Sequence, residues 1–454
     1  MVPPNIDDYE PYIEDDGGVG FAIANPGSIE VKSLTEWKAQ DAKLGVVLEQ
    51  RANTLIKIFP FADKPLTDDD DETLHTDLVR LFAESIWFQD ERFYSVIANA
   101  IICSYIRDQL TTATRPIFYA PTKTGKTRAL ECLANLCYRG MLVLDPTGAS
   151  LFRLIEKYHI TACIDELQKL EGPKKSDVDL IIKGGFADGP GVPRCNEKNE
   201  VEFFRVYGSM ILGSKRQPTE EDVLNRGLLI CMMQKPSNAV LKDAPIRRRL
   251  DHKGMAALRG RLLAFRLRVL SGAIDLAPFI EQAEKLAEEP IIIDGKEILL
   301  DDRSIDKVSE LLVPGLIFKD YHSTLELLAQ SESDSNAGLL ETLEARAFYA
   351  FQAVYSPAIY KTERERIDSV DKLRDVSTIS TRDVADQLTT DLNMMGEQDD
   401  PPNTQTVGRI LRLLGFRFRS GHGRASMFVS EGFDKTYAAN LRKYGYRKGD
   451  DDEK

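Results

Sequence analysis

Eight consecutive residues constrain this chain most: Ala120, Pro121, Thr122, Lys123, Thr124, Gly125, Lys126 and Thr127. They follow a short apolar run ending at Tyr119 and precede an amphipathic, helix-patterned stretch. The pattern G-x-x-x-x-G-K-[ST] between a strand and a helix wraps backbone amides around phosphate and sets a helix N-terminus behind it. Ala120 replaces the first glycine, yet the cradle of amides does not depend on that position. Gly125 lets the backbone approach closely, Lys126 is expected to reach the β- and γ-phosphates of ATP, and Thr127 to hold Mg²⁺. The expected fold class is α/β, a parallel sheet flanked by helices.

About forty residues later, the apolar run from Ile160 to Ile164 ends in Asp165 and Glu166. This pair is expected at the end of a strand neighbouring the loop's own, Asp165 holding the magnesium and Glu166 polarising an attacking water. A third apolar run ends at Ser214, a polar residue placed to orient that water, although asparagine or threonine is the commoner choice. Arg226 stands just before a fourth run, Gly227–Ile230, as either a helix-capping cation or a group that acts on phosphate.

Composition bounds the remainder. With 454 residues there is room for roughly three domains. Lys and Arg total 59 against 72 Asp and Glu, a net charge of −13, which excludes a basic-coated packaging protein but not locally basic surfaces. No apolar run approaches the ~20 residues of a membrane-spanning helix, and the acidic start is unlike a secretion signal, so no membrane contact and a cytoplasmic location are expected. Six scattered cysteines and five histidines offer no ligand spacing for a metal held by side chains alone.

Residues 1–72 carry two acidic patches and are expected to form a flexible arm. Residues 73–240 are expected to form the nucleotide-binding core, 241–376 a helical lid and connector, 377–448 a compact terminal unit, and 449–454 a charged tail. Residues 246–269 hold eight basic side chains against a single acid, suited equally to a DNA backbone, to ATP or to an acidic neighbour. The terminal unit reads as helix, helix and hairpin, with a second helix near 403–415 and a hairpin turning at Gly421–Gly423. That order resembles a winged helix. Ten Lys or Arg against two acids between Pro402 and Lys448 favour phosphate contact, with Gln405, Thr406 and Arg409 facing a groove and Arg424 in the wing. Winged helices also serve protein contacts.

Four motifs in this order resemble the AAA+ branch of P-loop ATPases. Leu224-Asn-Arg-Gly-Leu-Leu-Ile230, the segment 149–157, and Ile181–Gly189 with the following Pro193-Arg194 resemble helicase-type ATPases of phages, plasmids and mobile elements, distant relatives of the MCM helicases. The resemblance covers about residues 75–345. It implies a ring, a hexamer, in which Arg226 acts on the neighbouring subunit's nucleotide. It also implies a second phosphate-sensing arginine at Arg303, with Arg247–Arg249 as competitors, and a hairpin near 191–205 that grips DNA through Arg194 and Lys198. An ordinary exposed hairpin fits those residues equally well.

Together these features predict an ATP-hydrolysing DNA motor for unwinding or replication initiation. The alternatives are an ATP-regulated DNA-binding switch that does not unwind, and an ATPase that remodels proteins.

Overall fold

The computed structural model describes residues 5–66, 71–88, 90–120, 124–167, 172–189, 191–195, 200–215, 223, 226–232, 249–293, 296–340, 347–348, 350–351, 354, 380–394, 404–420, 426–428, 436–437 and 440. The chain divides into two compact units, residues 1–331 and 332–454.

The expected acidic arm is instead a folded module. Strands β1 (Glu10–Ile13), β2 (Val19–Asn25) and β3 (Ser28–Ser33) are followed by helices α1 (Leu34–Gln40) and α2 (Ala42–Leu55) and by the short β4 (Ala62–Asp63). The sheet order is β3-β2-β1-β4, antiparallel except for the β1–β4 pair. The acids at 14–16 lie at the β1–β2 turn, where Asp16 accepts the Gly18 amide at 2.8 Å. Around them Tyr9, Phe21, Ile23, Trp37, Leu48, Leu55 and Phe59 close into one core. Acid count misled because the acids sit in the turn, while β1 and β2 are buried on both faces, Phe21 and Ile23 in this core and Tyr12 and Ala22 in the main one. Trp37 donates its indole N–H to the Phe21 carbonyl at 3.0 Å, and Ser33 and Glu36 form a capping box at the start of α1.

Helices α3 (Leu74–Ser85) and α4 (Arg92–Ile106) lead into the central layer. It comprises β5 (Arg115–Tyr119), α5 (Lys126–Leu136), β6 (Gly140–Val143), α6 (Gly148–Tyr158), β7 (Thr161–Ile164), α7 (Gly172–Gly184), the hairpin β8 (Val192–Cys195) and β9 (Val201–Phe204), β10 (Met210–Ser214) and β11 (Gly227–Cys231). Five strands form a parallel sheet in the order β11-β5-β10-β7-β6. Its strands are apolar at successive positions because both faces are covered. Phe118, Cys163 and Ile211 face one core with α4 and α5, whereas Ile117, Ala162, Ile164 and Leu212 face another with α6 and α7.

Beyond the sheet come α8 (His252–Leu270), α9 (Ala277–Glu288), the hairpin β12 (Ile291–Ile293) and β13 (Lys296–Ile298), α10 (Asp302–Ile317) and α11 (His322–Leu340). The basic stretch leading into α8 is partly used internally. Arg259 donates to the carbonyls of Phe61 and Asn135, Arg261 pairs with Asp71 and Asp77, and Arg266 pairs with Asp108. These three arginines hold the N-terminal module, the core and the helical region together.

On α10, Glu310 is buried against the start of β5, accepting hydrogen bonds from the amide and hydroxyl of Thr114. Burial outweighs those bonds and pushes its carboxyl up to about 7. The folded value lies above the unfolded one of about 4.3, so this contribution to stability is complete below that pH and is lost as pH rises through 7. Glu310→Gln should therefore remove on the order of 3 kcal/mol of the stability difference between pH 4.5 and 8, read from urea midpoints across that range.

The second unit holds α12 (Thr381–Met394), α13 (Thr404–Leu413) and a short antiparallel pair, β14 (Phe418–Ser420) with β15 (Ser426–Phe428). Its core includes Val384, Leu388, Val407, Ile410, Leu411, Phe416 and Tyr437, but also Phe348 and Phe351. The unit thus begins earlier than the expected residue 377, because Phe351 packs on Phe416 with ring centroids 4.6 Å apart. The expected hairpin turn at 421–423 lies outside the described residues.

Candidate nucleotide-binding site

The loop emerges from the C-terminal end of β5. Ala120 is buried, has an ordinary negative φ, and donates its amide to the Ser214 carbonyl at 3.1 Å. Its methyl group lies in the core, so no glycine is needed there. Gly125 does need to be glycine: its φ of +92° turns the chain into α5. Lys126 follows in the first helical turn, buried, with Thr127 exposed beside it, and Thr124 is half-buried. Pro121, Thr122 and Lys123 lie outside the described residues.

The acidic pair is not on the adjacent strand. β10 lies between β5 and β7, so loop and acids are separated by one intervening strand, two spacings of about 4.8 Å. The gap is closed from above. The Lys126 ammonium pairs with Asp165 Oδ1, and the Thr127 hydroxyl donates to Asp165 Oδ2 at 2.8 Å. Gly213 leaves room for this crossing. A methyl group there would sit 2.6 Å from Leu130 Cδ1, 2.9 Å from Asp165 Oδ1 and 3.3 Å from Lys126 Nζ. A glycine interrupting the apolar run Met210–Ser214 was the available sequence signal for close approach.

Burial alone would raise the Asp165 carboxyl, but hydrogen bonds from Lys126, Thr127 and the Glu166 amide outweigh it and hold it below the ordinary carboxylate range. It is therefore an anion at neutral pH. Glu166 has a φ of +57°, unusual for a side-chain-bearing residue, and its amide donates to Asp165 Oδ1 at 2.7 Å. Its carboxylate lies 3.4 Å from the Lys215 ammonium. Thr127 and Asp165 present two hard oxygen donors side by side. They fit Mg²⁺, which takes few protein ligands and completes an octahedron with phosphate and water.

Other expected site residues lie elsewhere. Ser214 is buried at the end of β10, beside the loop. Arg226 precedes β11, whose Gly227 pairs with Arg115 at the start of β5, so it stands at the opposite end of the sheet from its own loop. Arg303 is exposed on the first turn of α10. The next turn of that helix accepts hydrogen bonds from Thr112 and Thr114, again at the start of β5. Arg303 therefore stands, like Arg226, at the end of the sheet opposite its own chain's phosphate loop.

Arg194, expected to meet DNA, is half-buried on β8 with its guanidinium 4.7 Å above the Phe152 ring of α6. The opposite face of that hairpin exposes Val201 and Phe203. On α13, Gln405 and Arg409 are exposed while Val407, Ile410 and Leu411 are buried. The side chain of Thr406, and all of Lys198 and Arg424, lie outside the described residues. Among the described residues no helix is long and apolar enough to cross a membrane.

No family model matches the chain, and no curated protein matches it. Among solved structures it is similar to the apo C-terminal region of NrS-1, with 13% identity, 93% of this chain and 96% of that one covered, and a TM-score of 0.35. It is also similar to the SCCmec type IV Cch helicase, with 12% identity, 94% of each chain covered, and a TM-score of 0.35. Likeness at this level carries no argument about chemistry, which rests on the cluster formed by Lys126, Thr127 and Asp165 across Gly213.

Proposed function

We propose that this chain is an ATP-hydrolysing DNA motor of the AAA+ type that works as a ring, with a winged-helix terminal unit. The carrying observation is that cluster of lysine, hydroxyl and carboxylate at the mouth of a strand–loop–helix turn. Lys126 binds the β- and γ-phosphates, and Thr127 with Asp165 holds Mg²⁺, which neutralises phosphate charge when bound. Glu166 takes a proton from water as the water oxygen bonds to the γ-phosphorus and ADP departs with the broken bond's electrons. Arg226, at the far end of its own sheet, serves a neighbouring subunit's nucleotide. Gln405 and Arg409, one helical turn apart on the exposed side of α13, supply the DNA contacts.

The test is ATP hydrolysis with and without single-stranded and forked DNA, beside Lys126→Ala. DNA-stimulated turnover that falls at least about a hundredfold in the variant supports the motor. DNA binding with turnover indifferent to DNA overturns it and leaves an ATP-dependent DNA-binding switch.

A further inference from the structure

Helix α2 covers the core of the N-terminal module with one face, burying Leu48, Ala52 and Leu55 beside Phe21 and Trp37. Its opposite face carries Lys43, Val46, Val47, Gln50 and Asn53, with Lys57 just past the helix end, all exposed. At about 100° per residue these side chains fall within about 60° of Gln50, so they form one stripe. None of them is acidic. Glu49, the one acid of the helix, stands about 100° round from Gln50 and pairs with Lys38 of α1 at 2.9 Å. Asp41 caps the helix by accepting the Lys43 and Leu44 amides, at 2.9 and 3.1 Å. In a chain of net charge −13, the charges on this stripe are two ammonium groups. Val46 and Val47, 49% and 46% exposed, lie between them.

We propose that this face of α2 is a second duplex-DNA contact, lying in a major groove with Lys43 and Lys57 on the phosphates to either side. This rests on the DNA-binding reading above and adds to it a surface in the first unit, whereas α13 belongs to the second. At 1.5 Å per residue the two lysines stand about 21 Å apart along the axis. That exceeds the ~12 Å width of the groove, so each ammonium reaches past a groove edge to a backbone strand. Between them, Gln50 and Asn53 have the amide groups that pair bidentately with adenine, and valine methyls match the thymine methyl. The Thr54 hydroxyl turns back to the Gln50 carbonyl at 3.1 Å and leaves the groove to the amides. A protein-docking face would gather aromatic and larger apolar side chains at its centre. Here the centre is an amide flanked by two valines, and both ends are cationic, which fits a polyanion with methyl-bearing edges.

The experiment uses the full chain and a fluorescent duplex of mixed sequence about three helical turns long, titrated across a salt series. It compares wild type with the double variant Lys43→Gln and Lys57→Gln, with Arg409→Ala, and with Lys285→Gln. The double variant should bind at least about tenfold more weakly, with the slope of log affinity on log salt reduced by about two. Lys285→Gln, on an exposed position of α9, should change neither. In wild type, bound duplex should protect Lys43 and Lys57 from acetylation, a readout that does not depend on how a variant folds. Unchanged affinity and slope in the double variant, with Arg409→Ala still weakening binding, overturn the proposal and leave the DNA-binding reading standing. Acetylation of both lysines at the same rate with and without duplex also overturns it. Wild type that binds no duplex overturns the DNA-binding reading itself.

Discussion

Glu166→Gln is expected to reduce ATP turnover by about 10² to 10⁴-fold while leaving nucleotide affinity at least as strong as in wild type. Its amide oxygen still orients water but takes no proton, and without the negative charge it no longer holds Lys215. Structure should be preserved. The main-chain conformation at φ +57° and the amide's hydrogen bond to Asp165 depend on position rather than on the carboxylate. A single-turnover measurement with Mg²⁺ and ATP, beside a binding titration and a melting curve, separates the three quantities. A large loss of affinity would assign the residue to binding. A rate within a factor of a few of wild type would mean that another group accepts the proton.

The second large effect is on stability. Glu10 of β1 is buried and accepts hydrogen bonds from Arg139 at 3.0 Å and from the Tyr138 hydroxyl, and Arg266 of α8 approaches it at 3.5 Å. Both guanidiniums also lie over the Tyr138 ring, at 4.9 and 4.5 Å. Burial would raise the Glu10 carboxyl, but the two arginines outweigh it and lower it. Its stabilising contribution is therefore present at neutral pH and is lost only as pH falls through that depressed value. Glu10→Ala leaves two buried cations without this partner and should destabilise the first unit by about 3–5 kcal/mol. Glu49→Ala, which removes an exposed pair with Lys38, should shift the midpoint by less than about 1 kcal/mol. Urea unfolding of the two variants beside wild type checks both values. Limited proteolysis of Glu10→Ala should show cleavage first within residues 5–66, whose sheet Glu10 ties to the core.

The loop, its flanking strand and helix, the acidic pair and the terminal hairpin strands were legible because each depends on local spacing. A glycine before a lysine at a helix start carries its geometry with it. What escaped depends on contacts between distant segments. The module at 5–66 was hidden behind its own acids, with Phe21 and Ile23 on one face of its sheet and Tyr12 and Ala22 on the other. The insertion of β10 between β5 and β7 is a matter of strand order, which no local pattern encodes. The docking of α10 on Thr112 and Thr114, which sets Arg303 at the end of the sheet opposite its own phosphate loop, is likewise a contact between distant segments. The stacking of Arg194 on Phe152 of α6 is another contact that no local pattern announces.

The missing methyl group at Gly213 sets what may be altered in this site and what may not. Ala120 shows that the loop tolerates a departure from its motif, since an ordinary φ and a buried side chain suffice there. Position 213 has less latitude, because an added methyl group would crowd Leu130 Cδ1 at 2.6 Å and Asp165 Oδ1 at 2.9 Å and oblige those side chains to shift. Anyone transplanting this centre to another sheet should copy the strand order and that one vacancy first, and treat the loop sequence as adjustable.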